Sequence, residues 1–160
     1  ACVGHKLDYA HRAWIQPGHW LTSDMQKANE DAAALYESWK KDVQVEEYRL
    51  EDAEVVLTAY GISARICKSA VELLRAQGVK AGLIRPITVH PFPYAAYDHI
   101  DYSKVKAVLD VEMSIPAQFV DDVAVAVKDR CLIETCLCSG GNIMSRDKVL
   151  AAVKKIMEGK

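Results

Sequence analysis

From Val43 onward, short apolar runs alternate with amphipathic stretches, and no other feature constrains the fold as strongly. Glu54 to Tyr60 is dominated by consecutive apolar residues and ends at Gly61. A run without polar alternation reads as a strand covered on both faces. Ile62, Ile66, Ala70, Leu73 and Leu74 then recur at helical spacing, and Gln77-Gly78 supplies the C-terminal stop. Val79 to Ile84 is the next expected strand, cut off by Pro86, with Pro91 and Pro93 holding the following loop open. Val105 to Val111 is another strand. Ser114 and Pro116 are expected to open a helix with Phe119, Val120, Val123 and Val127 on one face. Cys131 to Leu137 is the last strand, turned by Ser139-Gly140-Gly141. Ser145 then caps a helix that buries Val149, Leu150, Val153, Ile156 and Met157 and stops at Gly159. Val45 to Leu50 reads as a short, polar edge strand. Strands alternating with helices of this length imply an α/β fold: βαβ crossovers and a mostly parallel sheet covered on both sides.

The first 42 residues differ. Residues 1–23 hold two of the three tryptophans, Trp14 and Trp20, without a regular apolar period, and Gln16-Pro17-Gly18 is turn chemistry. Ser23-Asp24 is expected to cap a helix from about Met25 to Lys41, with Ala28, Ala32, Leu35, Tyr36 and Trp39 at helical spacing. Residues 1–42 are therefore expected to form a linker and helical arm, and 43–160 the α/β domain. At 160 residues, with 51% hydrophobic and 26% charged residues, the chain has the composition of an ordinary globular protein. A net charge of −2 without blocks of one sign gives no reason to expect nucleic acid as a partner. No apolar run approaches the roughly 20 residues of a membrane span. The five cysteines (Cys2, Cys67, Cys131, Cys136 and Cys138) are an odd number, and no secretory signal pattern opens the sequence. Reduced thiols in a cytoplasmic protein are the expectation.

Two turns sit where α/β proteins bind anions, between a strand and the helix after it. Tyr60-Gly61-Ile62-Ser63-Ala64-Arg65 has a single glycine, so it is neither a dinucleotide fingerprint nor a P-loop. Gly61, Ser63 and Arg65 are candidate anion contacts, set against the plainer reading of a tight turn. Gly140 and Gly141 are the second candidates, because paired glycines let backbone approach a ligand or neighbouring chain. Their plainer reading is a loop with positive φ and no ligand. Cys131, Cys136 and Cys138 have C-x4-C-x-C spacing, unlike a ferredoxin cluster. On a strand Cys136 and Cys138 point one way and Cys131 the other, so buried structural thiols are expected. His90, at a strand's carboxyl end, could act as an acid or base, but a structural or interface histidine is the expectation. Asp110 and Glu112 share one face of a strand; near the carboxyl edge they could work as a pair, but solvated carboxylates are the expectation for them. No catalytic residue and no metal ligand is assigned.

The run Glu54-Val-Val-Leu-Thr-Ala-Tyr-Gly61-Ile-Ser-Ala-Arg65, continuing through Gly82-Leu-Ile-Arg85-Pro86 and His90-Pro91-Phe92-Pro93, resembles the α subunit of 2-oxoacid:ferredoxin oxidoreductases in its C-terminal part. Glu112-Met113, Gln118 to Asp122, and Gly140-Gly141-Asn142-Ile143 resemble further segments of that family in the same order. The resemblance covers about residues 43–157 and leans toward the 2-oxoisovalerate branch. Ser114, Ala117 and Met144 stand where the family usually has Asn, Gly and Pro.

The resemblance implies a transketolase C-terminal-like fold: a three-layer αβα sandwich around a five-stranded mixed sheet. Its strand order would be 1-3-2-4-5, with Val45 to Leu50 as the antiparallel edge strand. Residues 1–42 would be the linker from a pyrimidine-binding domain. Whole enzymes of the family decarboxylate a 2-oxo acid with thiamine diphosphate and magnesium, make an acyl-CoA, and pass electrons through iron–sulfur clusters to ferredoxin. This sequence has neither the diphosphate-binding motif nor the cysteine runs, so those cofactors are expected on other domains or subunits. The chain is then expected to serve assembly and substrate-side shaping, inactive alone. A stand-alone small-ligand or regulatory module and a purely structural oligomerisation domain are the alternatives.

Overall fold

A computed structural model describes residues 21–159, so the expectations for Trp14, Trp20 and the Gln16-Pro17-Gly18 turn lie outside the described residues. The chain divides into two compact units, 1–40 and 41–160. In the first unit, α1 spans Thr22–Trp39. It starts earlier than Ser23-Asp24 suggested: Leu21 is the capping position, no side chain caps it, and none of its residues is buried.

In the second unit the elements run β1 (Val45–Tyr48), β2 (Val55–Thr58), α2 (Gly61–Ala76), β3 (Ala81–Pro86), β4 (Ala107–Glu112), α3 (Phe119–Val127), β5 (Leu132–Leu137) and α4 (Arg146–Glu158). A 3-10 turn, Tyr94–His99, lies between β3 and β4. The sheet order is β1-β3-β2-β4-β5. Only β1 is antiparallel, pairing Val45 with Pro86 and Tyr48 with Leu83. β1 stops before Leu50 because Arg49 adopts φ +54, which breaks the extended run.

Side chains alternate across the strands and build two cores. Val55, Leu57, Leu83, Leu109 and Val111 pack with α2 and α4. Val56, Ile84 and Val108 pack on the other face with the Tyr94–His99 turn and α3. This is the expected αβα sandwich. The cysteines follow the same parity: Cys67, Cys136 and Cys138 belong to the first core, while Cys131 packs against the second. Burial pushes the Cys131 and Cys136 thiols upward, as befits inert packing groups.

α4 begins as expected, with the Ser145 hydroxyl accepting from Lys148 N at 3.2 Å, and ends at a left-handed Gly159. α3 departs from expectation. It starts at Phe119, three residues beyond Pro116, and the Ile115–Pro116 peptide is cis. The cap that Ser114 was expected to supply comes from elsewhere.

Candidate functional site

In open α/β sheets, ligands bind beyond the carboxyl ends of neighbouring strands whose connections leave in opposite directions. Here those strands are β2 and β4. β2 leads through α2 to β3, whereas β4 leads through α3 to β5 on the other side. Thr58, Asp110 and Glu112 occupy their last turns of strand, all on the face shared with α3.

Asp110 and Glu112 are buried, at 0% and 1% exposure. This corrects the expectation of solvated carboxylates. The face is shared as predicted, but segments distant in sequence close over it. Tyr97 lies 2.5 Å from the Thr58 hydroxyl, oxygen to oxygen. Phe92 stacks on Tyr97 at 5.6 Å, and Phe119 meets Phe92 at 5.7 Å and Tyr60 at 5.0 Å.

Glu112 is the missing cap of α3. Its carboxylate accepts from Gln118 N at 2.8 Å, from Phe119 N at 3.2 Å and from the Ser114 hydroxyl. Burial alone would raise its pKa, but the bonds from Ser114, Phe119 and Gln118 outweigh burial and hold it below the ordinary carboxylate value. Asp110 behaves oppositely. No donor reaches either of its oxygens, and the neighbouring Glu112 is itself an acceptor. Burial, reinforced by the Glu112 charge, pushes the Asp110 pKa up to about 8. The pair is thus one acid and one anion at neutral pH, with the proton kept on Asp110. Chemically it could exchange a proton, but with both groups enclosed its work is to fold the 113–118 loop back onto β4.

The two candidate anion turns lie at the same sheet edge, after β2 and β5. Gly61 has φ +57, and Gly140 and Gly141 have φ +68 and +81. A Cβ at any of them would meet nothing within 4 Å, so these glycines answer a backbone conformation and not a close approach. Ser63 is buried and Arg65 is exposed. Arg65 instead lines a surface cavity of about 340 Å³ with Ile66, Ser69, Arg146 and Asp147. Sequence reasoning missed Arg146 there; it is 81 positions from Arg65 and no spacing links them. His90 is exposed, before a cis Pro91. Among the described residues, no group of three or more His, Cys, Asp or Glu side chains is placed to hold a metal.

Residues 53–149 match the family described as pyruvate:ferredoxin oxidoreductase core domain II. The chain is 40% identical over 117 residues to ketoisovalerate oxidoreductase subunit VorB of Methanothermobacter marburgensis, covering 73% of this chain and 32% of that one. It is 32% identical over 110 residues to 2-oxoglutarate synthase subunit KorA of the same organism, covering 69% and 29%. The chain thus spans about a third of the length of these curated relatives. The fold is shared with 2-oxoglutarate:ferredoxin oxidoreductase from Magnetococcus marinus, at TM-score 0.70 and 19% identity, over 87% of this chain and 24% of that one. A split-gene transketolase shares it at TM-score 0.57 and 18% identity, over 71% and 41%. The fold, the length of the family match and the identity to these subunits agree: the chain belongs to the pyruvate:ferredoxin oxidoreductase core domain II family.

Proposed function

We propose that this chain serves a cytoplasmic, thiamine-diphosphate-dependent 2-oxoacid:ferredoxin oxidoreductase as the transketolase C-terminal-like domain of its α subunit. The reaction of the whole enzyme is oxo acid plus CoA plus oxidised ferredoxin to acyl-CoA, CO₂ and reduced ferredoxin. The branched-chain acid 2-oxoisovalerate is the proposed substrate, on the strength of the ketoisovalerate oxidoreductase relative. Residues 43–160 form the domain and 1–42 the arm that links it to its neighbour. Its role is assembly and shaping of the substrate side.

One observation carries the assembly role: the crevice where such sheets take ligands is filled by the protein itself. Tyr97, Phe92 and Phe119 close it, and Glu112 spends its acceptors on α3. Iron–sulfur clusters and magnesium diphosphate do not fit the described donor set. Cys131 faces one core and Cys136 with Cys138 the other, so they cannot converge on a cluster. Other domains or subunits hold those groups. The test supplies thiamine diphosphate, magnesium, CoA, 2-oxoisovalerate and oxidised ferredoxin to the chain alone and to the assembled enzyme. Turnover is expected only from the assembly, and turnover by the chain alone would overturn the reading. The Arg65–Arg146 cavity favours a second reading, a small-anion module, which calorimetry with CoA separates: a Kd below about 10 μM, roughly 7 kcal/mol, would support it.

A further inference from the structure

Charge is divided unequally between the two ends of the sheet. Five segments form the carboxyl edge: 60–64 after β2, 87–94 after β3, 113–118 after β4, 138–145 after β5, and 41–44, which enter the antiparallel β1 and bond to Ile87 N and Thr88 N. Lys41 and Asp42 are their sole charged residues, although the chain is 26% charged and about eight such residues would be expected in segments of this total length. The opposite edge is heavily charged and internally paired, with Arg75 to Asp52 at 2.7 Å and Arg130 to Asp98 at 2.8 Å.

Exposed apolar side chains follow the same division. Between residues 41 and 159, eight of the ten exposed large hydrophobic residues lie on the carboxyl edge. Ile115 and Ile143 are 62% and 66% exposed, and Ile62 and Ile87 about half. Eight half-exposed side chains of this size present roughly 600–700 Å², close to the ~800 Å² each partner brings to a standard protein interface. Interface centres are depleted of charge and enriched in aromatic residues and Met, as here with Tyr60, Tyr94 and Met113. A polyanion or an anionic membrane surface would call for Lys and Arg at the centre of the patch.

We propose that this edge is a protein interface, and that its occupant is a neighbouring polypeptide region of the same oxidoreductase, presenting an uncharged, apolar face. The occupant's identity rests on the function proposed above, and about two-thirds of the VorB relative's length has no counterpart in this chain to provide it. A second copy of the chain and a neutral lipid surface are the competing occupants.

Hydrogen exchange read by mass spectrometry tests this on the assembled oxidoreductase and on the free chain. Peptides covering 87–94, 113–118 and 138–145 should exchange about tenfold more slowly in the assembly, with those covering 98–106 and 128–130 unchanged. Ile115→Asp with Ile143→Asp should release the chain from the assembly, while Val125→Asp with Leu132→Asp, equally exposed elsewhere, should not. Equal exchange in both states would overturn the interface. Protection that appears in the free chain with rising concentration would make the occupant a second copy. Ile115-dependent binding to phosphatidylcholine vesicles would make it lipid; either result overturns the proposal. An oxidoreductase that assembles and turns over without this chain overturns the functional reading and with it the occupant's identity.

Discussion

Asp110→Asn isolates the energetics of the buried carboxyl pair. In the unfolded chain Asp110 titrates near 3.9, whereas burial and Glu112 push it to about 8 in the fold. The folded state therefore keeps a proton that the unfolded state releases. The stability tied to Asp110 is complete below pH ~4 and falls by about 1.4 kcal/mol per pH unit as pH rises toward 8. Between pH 4 and 7 the loss is about 4 kcal/mol, a large share of the 5–15 kcal/mol that holds a domain together. Glu112, held below its ordinary value, works with the opposite sign. Its contribution is present above its unfolded pKa and is lost only as pH falls through the acid range, so it leaves the window above pH 5 clear. Asparagine has nearly the same shape, donates from its amide toward Glu112 and cannot ionise. Urea unfolding followed by circular dichroism from pH 5 to 9 should show wild-type stability descending while the variant stays level. At pH 7 the variant should be more stable by about 4 kcal/mol, a midpoint shift of about 2 M for a typical urea slope. Parallel pH profiles for the two proteins would refute a protonated Asp110.

Two other substitutions probe the same architecture. Glu112→Gln keeps the volume but loses the charge-assisted bonds to Gln118 and Phe119, so about 2–4 kcal/mol of destabilisation is expected, with faster exchange of those two amides; unchanged amide exchange would contradict the cap. Gly82→Ala places a Cβ 2.8 Å from the Arg49 carbonyl oxygen and 2.9 Å from Leu50 Cδ2, where Arg75 ties Arg49 O to Ala81 O through bonds of 2.8 and 2.7 Å. A loss of about 1–3 kcal/mol, seen as a Tm lowered by roughly 5–10 °C, is expected, and an unchanged Tm would show that this turn yields freely.

The alternation of apolar runs was enough to read the α/β class, every strand of the domain and the parity of the cysteines. Those features depend on residues near one another in sequence. What stayed hidden depends on distant partners. Asp110 and Glu112 were correctly placed on one face, but their burial is the work of Phe92, Tyr97 and Phe119, which the β3–β4 crossover and α3 bring over them. Ser114 and Pro116 looked like a helix start because Ser caps and Pro at N1 are local signals. The actual cap is a strand residue six positions before Gln118, acting across a turn. The strand order came from the family resemblance, since periodicity alone does not order a sheet. The glycines at 61, 140 and 141 were legible as turns, but whether a turn holds a ligand is decided by what faces it.

The capped helix also bears on what the carboxyl edge can do. Unpaired amides at a helix N-terminus attract anions, and in nucleotide-binding sheets that position receives phosphate. In this domain Glu112 stands there, with its charge spent on Gln118 N and Phe119 N, while Asp110 stays neutral by keeping its proton. An incoming anion at α3 would have to displace a buried carboxylate and then leave it uncompensated beside Asp110, which is strongly unfavourable. The edge is therefore satisfied electrostatically from within and presents apolar side chains outward. A surface with its buried carboxyls held within and its outer face sparsely charged is suited to burial against another protein, and that is the physical reason to seek this domain's role in contacts.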